Sequence, residues 1–112
     1  MTDKELPATV RAALEGGEVL VIRRTYREAR DVMDGDLRLL RDLGIAGEMR
    51  TVTSPLRMTF PGGGRITYMS ASGAEERVRG MQFDMIDDAG WLDAQTRWWI
   101  QKRPVPSTEV TS

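Results

Sequence analysis

The 112-residue chain contains no cysteine and no histidine. Their absence removes disulfides, thiol nucleophiles, zinc sites of the usual Cys/His types and any His-based catalytic triad, leaving carboxylates as the only strong metal ligands. Charge of one sign is also scarce: 16 Lys plus Arg face 17 Asp plus Glu, a net charge of −1. That balance excludes the broad basic field of a non-specific nucleic-acid binder, though not a local basic stripe. No apolar run approaches the length of a membrane span, and the start mixes acid and base where a signal peptide has an apolar stretch. The expectation is a soluble cytoplasmic protein that does not engage a membrane. What is present suits one modest core, since 40% of the residues are apolar, and two full domains would not fit. Arg outnumbers Lys 14 to 2, which a GC-rich genome explains as readily as a demand for bidentate phosphate contacts.

Periodicity divides the body, residues 1–103, from a tail at 104–112. The tail carries Pro104, Pro106 and a string of Ser, Thr and Val without an apolar face, and is expected to be extended or disordered. Pro7 suits the first turn of a helix running to the Gly16-Gly17 stop, with Val10, Ala13 and Leu14 at helical spacing. The continuous apolar run at 18–23 predicts a strand buried on both faces, as central parallel strands are. Thr25 and Glu28 make a capping box for a helix whose face is Ala29, Met33, Leu37, Leu40 and Leu43, ending at Gly44. From Met49 the period becomes two, giving short antiparallel strands around Ser54-Pro55 and up to Phe60. Pro61-Gly-Gly-Gly64 precedes a strand at 65–70 and therefore reads as a hairpin turn and not a phosphate loop. Ser72 and Glu75 form a second capping box for a short helix ending at Gly80, 83–87 reads as another buried strand, and 91–102 as a last helix. The sum is a three-layer α/β domain, a small mixed sheet with helices on both faces.

The sharpest chemical feature is Met85-Ile-Asp-Asp88, an apolar strand ending in two acids. At the carboxyl end of a parallel strand, Asp87 can hold Mg²⁺ through water while Asp88 orients an attacking water, which is the Walker B logic of ATPases. The competing reading is an Asx cap, in which either acid accepts backbone N–H groups of the following helix. Arg23, Arg24, Arg27 and Arg30 form a basic run that could touch a nucleic-acid backbone, yet Glu28 and Asp31 stand ready to pair with it along the helix. Three of the seven aromatics, Trp91, Trp98 and Trp99, fall in the last segment. Adjacent Trp98 and Trp99 diverge by about 100° on a helix, so with Arg97 they offer either an interaction anchor or two covers for the sheet.

In their order, the strand and helix from Val19 to Asp31, the hairpin and strand from Ser54 to Ala71, and the Arg79-Gly segment leading to Asp87-Asp88 resemble the ATPase core of phage terminase large subunits, the motors that package DNA. The resemblance covers roughly residues 8 to 93 and implies a P-loop NTPase-like core. It puts Asp87 at the metal position, Asp88 where the family has Glu, and Arg79 at an Arg aimed towards a neighbouring nucleotide, with Arg77 as a stand-in. A helix-terminal Arg facing its own dipole is the alternative for Arg79. The sequence departs from the family at its centre: it has no G-x-x-x-x-G-K-[ST] to cradle phosphates. The chain thus reads as starting just after that loop and stopping soon after the acid pair.

Because phosphoryl transfer rests on positioning and charge stabilisation, losing the cradle predicts no ATPase activity and no bound cofactor, with Asp87, Asp88 and Arg79 vestigial. The leading expectation is a non-catalytic phage or prophage accessory protein of the host cytoplasm. It would bind a second copy or a host or phage protein, because a truncated sheet leaves edges to cover. Two others stand beside it: half of a split ATPase whose partner supplies the phosphate loop, and a weak nucleic-acid-binding module using Arg23, Arg24 and Arg27.

Overall fold

The computed structural model describes residues 6–53 and 55–102. The expected tail at 104–112 lies outside them. Among the described residues four helices flank a five-stranded sheet. They are α1 (Ala8–Leu14), α2 (Tyr26–Asp42), α3 (Ala74–Arg77) and α4 (Ala94–Ile100). The strands are β1 (Glu18–Arg23), β2 (Arg50–Thr53), β3 (Leu56–Thr59), β4 (Arg65–Ser70) and β5 (Met85–Asp87), with a short 3-10 turn at Ala46–Glu48. Their order is β2-β3-β4-β1-β5; β2, β3 and β4 run antiparallel to one another, and β1 pairs in parallel with both β4 and β5.

Alternation along β1 explains why it is apolar throughout. Val19 and Val21 join a core with Val10 and Ala13 of α1 and Ala29, Met33 and Leu40 of α2. Leu20 and Ile22 point the other way, into a core with Ala74 of α3 and Leu92 and Ile100 beside and within α4. Both faces of β1 are therefore dry, and the three-layer α/β expectation holds. No described helix is long and apolar enough to cross a membrane.

Several local expectations are corrected. Thr25 caps α2 by accepting the Glu28 N–H at 3.1 Å, but the Glu28 carboxylate turns to Arg24 at 2.9 Å. Helix α2 ends at Asp42, and Leu43, expected on its buried face, is exposed at the cap. Ser72 does not cap α3: Gly73, at φ +72°, takes that position with no side-chain bond, because its left-handed backbone turns the chain into the helix. The last strand is only Met85–Asp87, since Phe83 leaves β1 to bridge Gln101 in parallel. Helix α4 starts at Ala94 and not near Trp91, because Asp93 caps it, its carboxylate accepting the Thr96 N–H at 2.7 Å.

The glycine turn is a hairpin, closed by Phe60 N–H to Gly64 O at 2.8 Å. Gly64 presses its backbone so closely on α1 that a Cβ there would land on the Ala13 carbonyl. The turn thereby locks the β3–β4 hairpin to the first helix. At the opposite ends of the strands the chain leaves β1 for α2 on one face and β4 for α3 on the other. That reversal, between adjacent parallel strands, is where open α/β sheets form crevices, and it brings the ends of β1, β4 and β5 together.

Candidate functional site

Successive residues of a strand face opposite sides of a sheet, and this separates the two acids. Asp87 shares the α2 side with Met85, which packs on that core, and meets Arg23 from the end of neighbouring β1. Arg23 Nη2 lies 3.0 Å from Asp87 Oδ2, and Nη1 donates to the Ile22 carbonyl at 2.9 Å and the Asp87 carbonyl at 3.3 Å. Asp88 turns to the α4 side and is buried, 3% exposed. Its Oδ1 accepts from Gly90 N–H at 3.2 Å and from Arg97 Nη1 at 3.0 Å, and its Oδ2 accepts from Leu92 N–H at 3.3 Å.

The turn behind this geometry is tight. Ala89 at φ +51° and Gly90 at φ +83° are both left-handed, and the Trp91 N–H returns to the Asp88 carbonyl at 2.8 Å. A left-handed alanine costs about 1 kcal/mol, which the carboxylate's three donors offset. Asp88 therefore accepts backbone N–H groups of the turn that precedes α4 and a guanidinium, while the cap of that helix is Asp93, so neither Asp87 nor Asp88 is the helix cap that the sequence offered. The two acids do not converge on one point, and among the described residues no group of three or more acidic side chains could hold a metal ion.

A second polar pair lies under α2. Tyr68 of β4 donates its hydroxyl to Asp36 Oδ2 at 2.7 Å, with both side chains buried. Burial pushes the Asp36 carboxyl above the ordinary range, against the pull of the Tyr68 hydrogen bond and the Arg23 charge. Burial, and then the charge of Asp36, pushes Tyr68 upward as well, so the phenol stays a donor. Asp36 was missed in the sequence because it sits between apolar positions of an amphipathic helix and belongs to no motif. The only signal was an acid on the stripe that Met33 and Leu40 define.

The remaining candidates scatter. Arg24 pairs with Glu28, Arg30 with Asp34 at 3.5 Å, and Arg27 is exposed, so the basic run is a largely charge-balanced helix start. Arg79 lines a cavity of about 420 Å³ between α3 and α4, together with Glu75, Met81, Thr96 and Trp99. Among the described residues no hydrogen bond or ion pair joins Arg79 to either acid. Arg77 donates to the Ser72 carbonyl at 3.0 Å.

The tryptophans form the most exposed aromatic surface. Trp98 and Trp99 are 53% and 59% exposed, their rings edge to face at 5.0 Å, and Trp91 before the helix is 47% exposed. Trp98 and Trp99 both point outward and do not cover the sheet, and Ile100 alone of the helix is buried. Arg97, its side chain 44% exposed, reaches back to Asp88 and donates through Nη2 to the Ile86 carbonyl at 3.3 Å. It fixes α4 to β5 and so sets where the two indoles project. Compared with protein-family models, curated proteins and solved structures, the chain matches none of them.

Proposed function

We propose that this protein is a non-catalytic interaction module, a phage or prophage accessory protein that keeps a terminase-like acid-ended strand for structural use. The observation that carries this reading is the Arg97–Asp88 clamp, whose neighbours in sequence, Trp98 and Trp99, stand exposed on α4. In that arrangement Asp88 is an anchor for the docking helix and Asp87 an anchor for Arg23. Neither acid reaches a shared ion position, and the sequence offers no loop to grip a triphosphate. Trp anchors dominate interface energetics when a partner covers them, and the partner proposed here is protein, a second copy first. Among the described residues no strand pairs with the outer edge of β2, exposed along all four residues, and this supports the need for cover.

Sedimentation velocity across a wide concentration range tests the reading, with wild type against Trp98→Ser/Trp99→Ser. The expected result is a mass that rises with concentration in the wild type and less in the variant. A concentration-independent monomer rejects self-association. Phosphate release from Mg²⁺-ATP above background, lost in Asp87→Ala, rejects the non-catalytic assignment.

A further inference from the structure

The face of the sheet opposite α1 and α2 is covered unevenly. Helices α3 and α4 pack over β1, β5 and the end of β4, through Leu20, Ile22, Met69 and Ile86. Over β2, β3 and the start of β4 the same face carries a different set of side chains. Leu56 and Met58 of β3 point into the α2 core, so Arg57 and Thr59 point away from it. Ile66 and Tyr68 do likewise in β4, which turns Arg65 and Thr67 to the other face, where Arg65 is exposed and Thr67 is buried. Register then aligns two rows across the strands. Arg50, Thr59, Arg65 and Glu18 form the first, and Val52, Arg57, Thr67 and Leu20 the second.

Three arginines thus share one open patch that no stretch of the sequence announces. Arg50 and Arg65 stand two interstrand spacings apart, about 9.5 Å, with Arg57 between them one row along. Among the described residues Glu18, engaged by Arg65 at 2.9 Å, ends the first row, and Asp84 lies beside it, its Oδ2 accepting the Glu18 N–H at 2.7 Å and facing Lys102 at 3.7 Å. Arg50 is exposed and has no hydrogen bond or ion pair with another described residue. Arg57 is partly buried, and its Nε is closed to solvent with no acceptor among the described residues. No polar bond therefore holds that guanidinium down, and an anion that drew it up would supply the missing acceptor.

We propose that this Arg50/Arg57/Arg65 face binds the phosphodiester backbone of a single-stranded nucleic acid. Guanidinium and hydroxyl donors are what a phosphate backbone requires, and contacts of that kind position a strand without reading its sequence. The face offers an acidic peptide less, since peptides gain affinity from side-chain pockets or from a sheet edge, and Val52 is its sole exposed apolar side chain. It carries no aromatic ring for stacking bases, so binding is sequence-tolerant, weak and governed by salt. The site is distinct from the α4 tryptophans and stands or falls apart from the protein-docking reading.

Fluorescence anisotropy with a labelled oligo-dT, at low salt and then over a salt series, provides the test. Expected is saturable binding whose log affinity falls against log salt with a slope near −2, the value for about three phosphates on a single strand. Arg50→Ala/Arg57→Gln should weaken binding at least about tenfold and flatten the slope to that of one contact, about −0.7. Arg50→Ala alone, at an exposed position with no partner to lose, keeps the test decisive if the double variant folds poorly. Arg38→Ala, exposed on α2 across the sheet, should leave binding unchanged. No binding by the wild type, an equal loss in Arg38→Ala, tighter binding of duplex DNA, or equal binding of a labelled poly-glutamate peptide would each overturn the proposal.

Discussion

Arg97 reaches back nine positions to place Nη1 3.0 Å from Asp88 Oδ1, closing a buried carboxylate that two backbone N–H groups already occupy. Its neighbour Asp87, one residue earlier, has a side chain 43% exposed and a single guanidinium partner. Two adjacent acids of equal chemistry therefore have unequal structural weight.

That inequality gives the first prediction. Asp88→Ala leaves a guanidinium and two turn N–H groups without their acceptor, which should cost about 2–3 kcal/mol of unfolding free energy. Asp87→Ala breaks one half-exposed ion pair and should cost under about 1 kcal/mol. Urea denaturation compares them directly. Equal losses would deny Asp88 its anchoring role.

The second prediction concerns pH. Burial raises the Asp36 carboxyl in the folded chain, so the native state holds its proton more tightly than the unfolded state does. Stability from this group is then complete below the unfolded carboxylate range and is lost as pH rises through the folded value. Asp36→Asn keeps an acceptor for the Tyr68 hydroxyl without a charge to bury. Its stability relative to wild type should rise as pH climbs from about 4 towards 7, measured as the difference between paired urea melts. A difference that is flat with pH, or that favours the wild type more at neutral pH, would refute this assignment.

How much of this was legible from sequence depended on whether the signal was local. The alternation of β1, the Thr25 cap and the glycine hairpin could be read because each is set by a few consecutive residues. Asp36 could not, since its partner Tyr68 is 32 positions away and only the packing of α2 on β4 joins them. The same holds for Arg50, Arg57 and Arg65, which become neighbours only through strand register. At the acid pair both readings were open in the sequence. The left-handed Ala89-Gly90 turn decided the geometry by aiming Asp88 at backbone N–H groups and at Arg97. Of the two readings open for Trp98 and Trp99, exposure is the one found, since Ile100 alone of α4 turns into the core.

The third prediction tests the lock between hairpin and helix. Gly64 lies against the Ala13 carbonyl, which is main chain and has little freedom to withdraw. Gly64→Ala should therefore destabilise by about 1–3 kcal/mol through forced separation of the hairpin and α1. Gly47→Ala, where an added Cβ meets nothing within 4 Å, serves as the control with little effect. Thermal melts suffice, and a neutral Gly64→Ala would show that the hairpin does not bear on α1 this closely.

The last prediction separates exposure from packing at α4. Trp98 and Trp99 touch edge to face at 5.0 Å, and each is more than half exposed. An aromatic pair of this geometry contributes about 0.5–1.5 kcal/mol when well packed, and less where water covers much of both rings. Trp98→Ser/Trp99→Ser should accordingly lower monomer stability by no more than about 1 kcal/mol. Its remaining Trp91 emission reports folding. Were the two indoles instead core residues, truncation would cost about 3–5 kcal/mol each and the variant would not fold. A folded variant with near-native stability at low concentration means that these side chains contribute little to the isolated fold and are available to a partner. The same measurement on Ile100→Ala, buried on the opposite side of the helix, should show the large loss that the tryptophans lack.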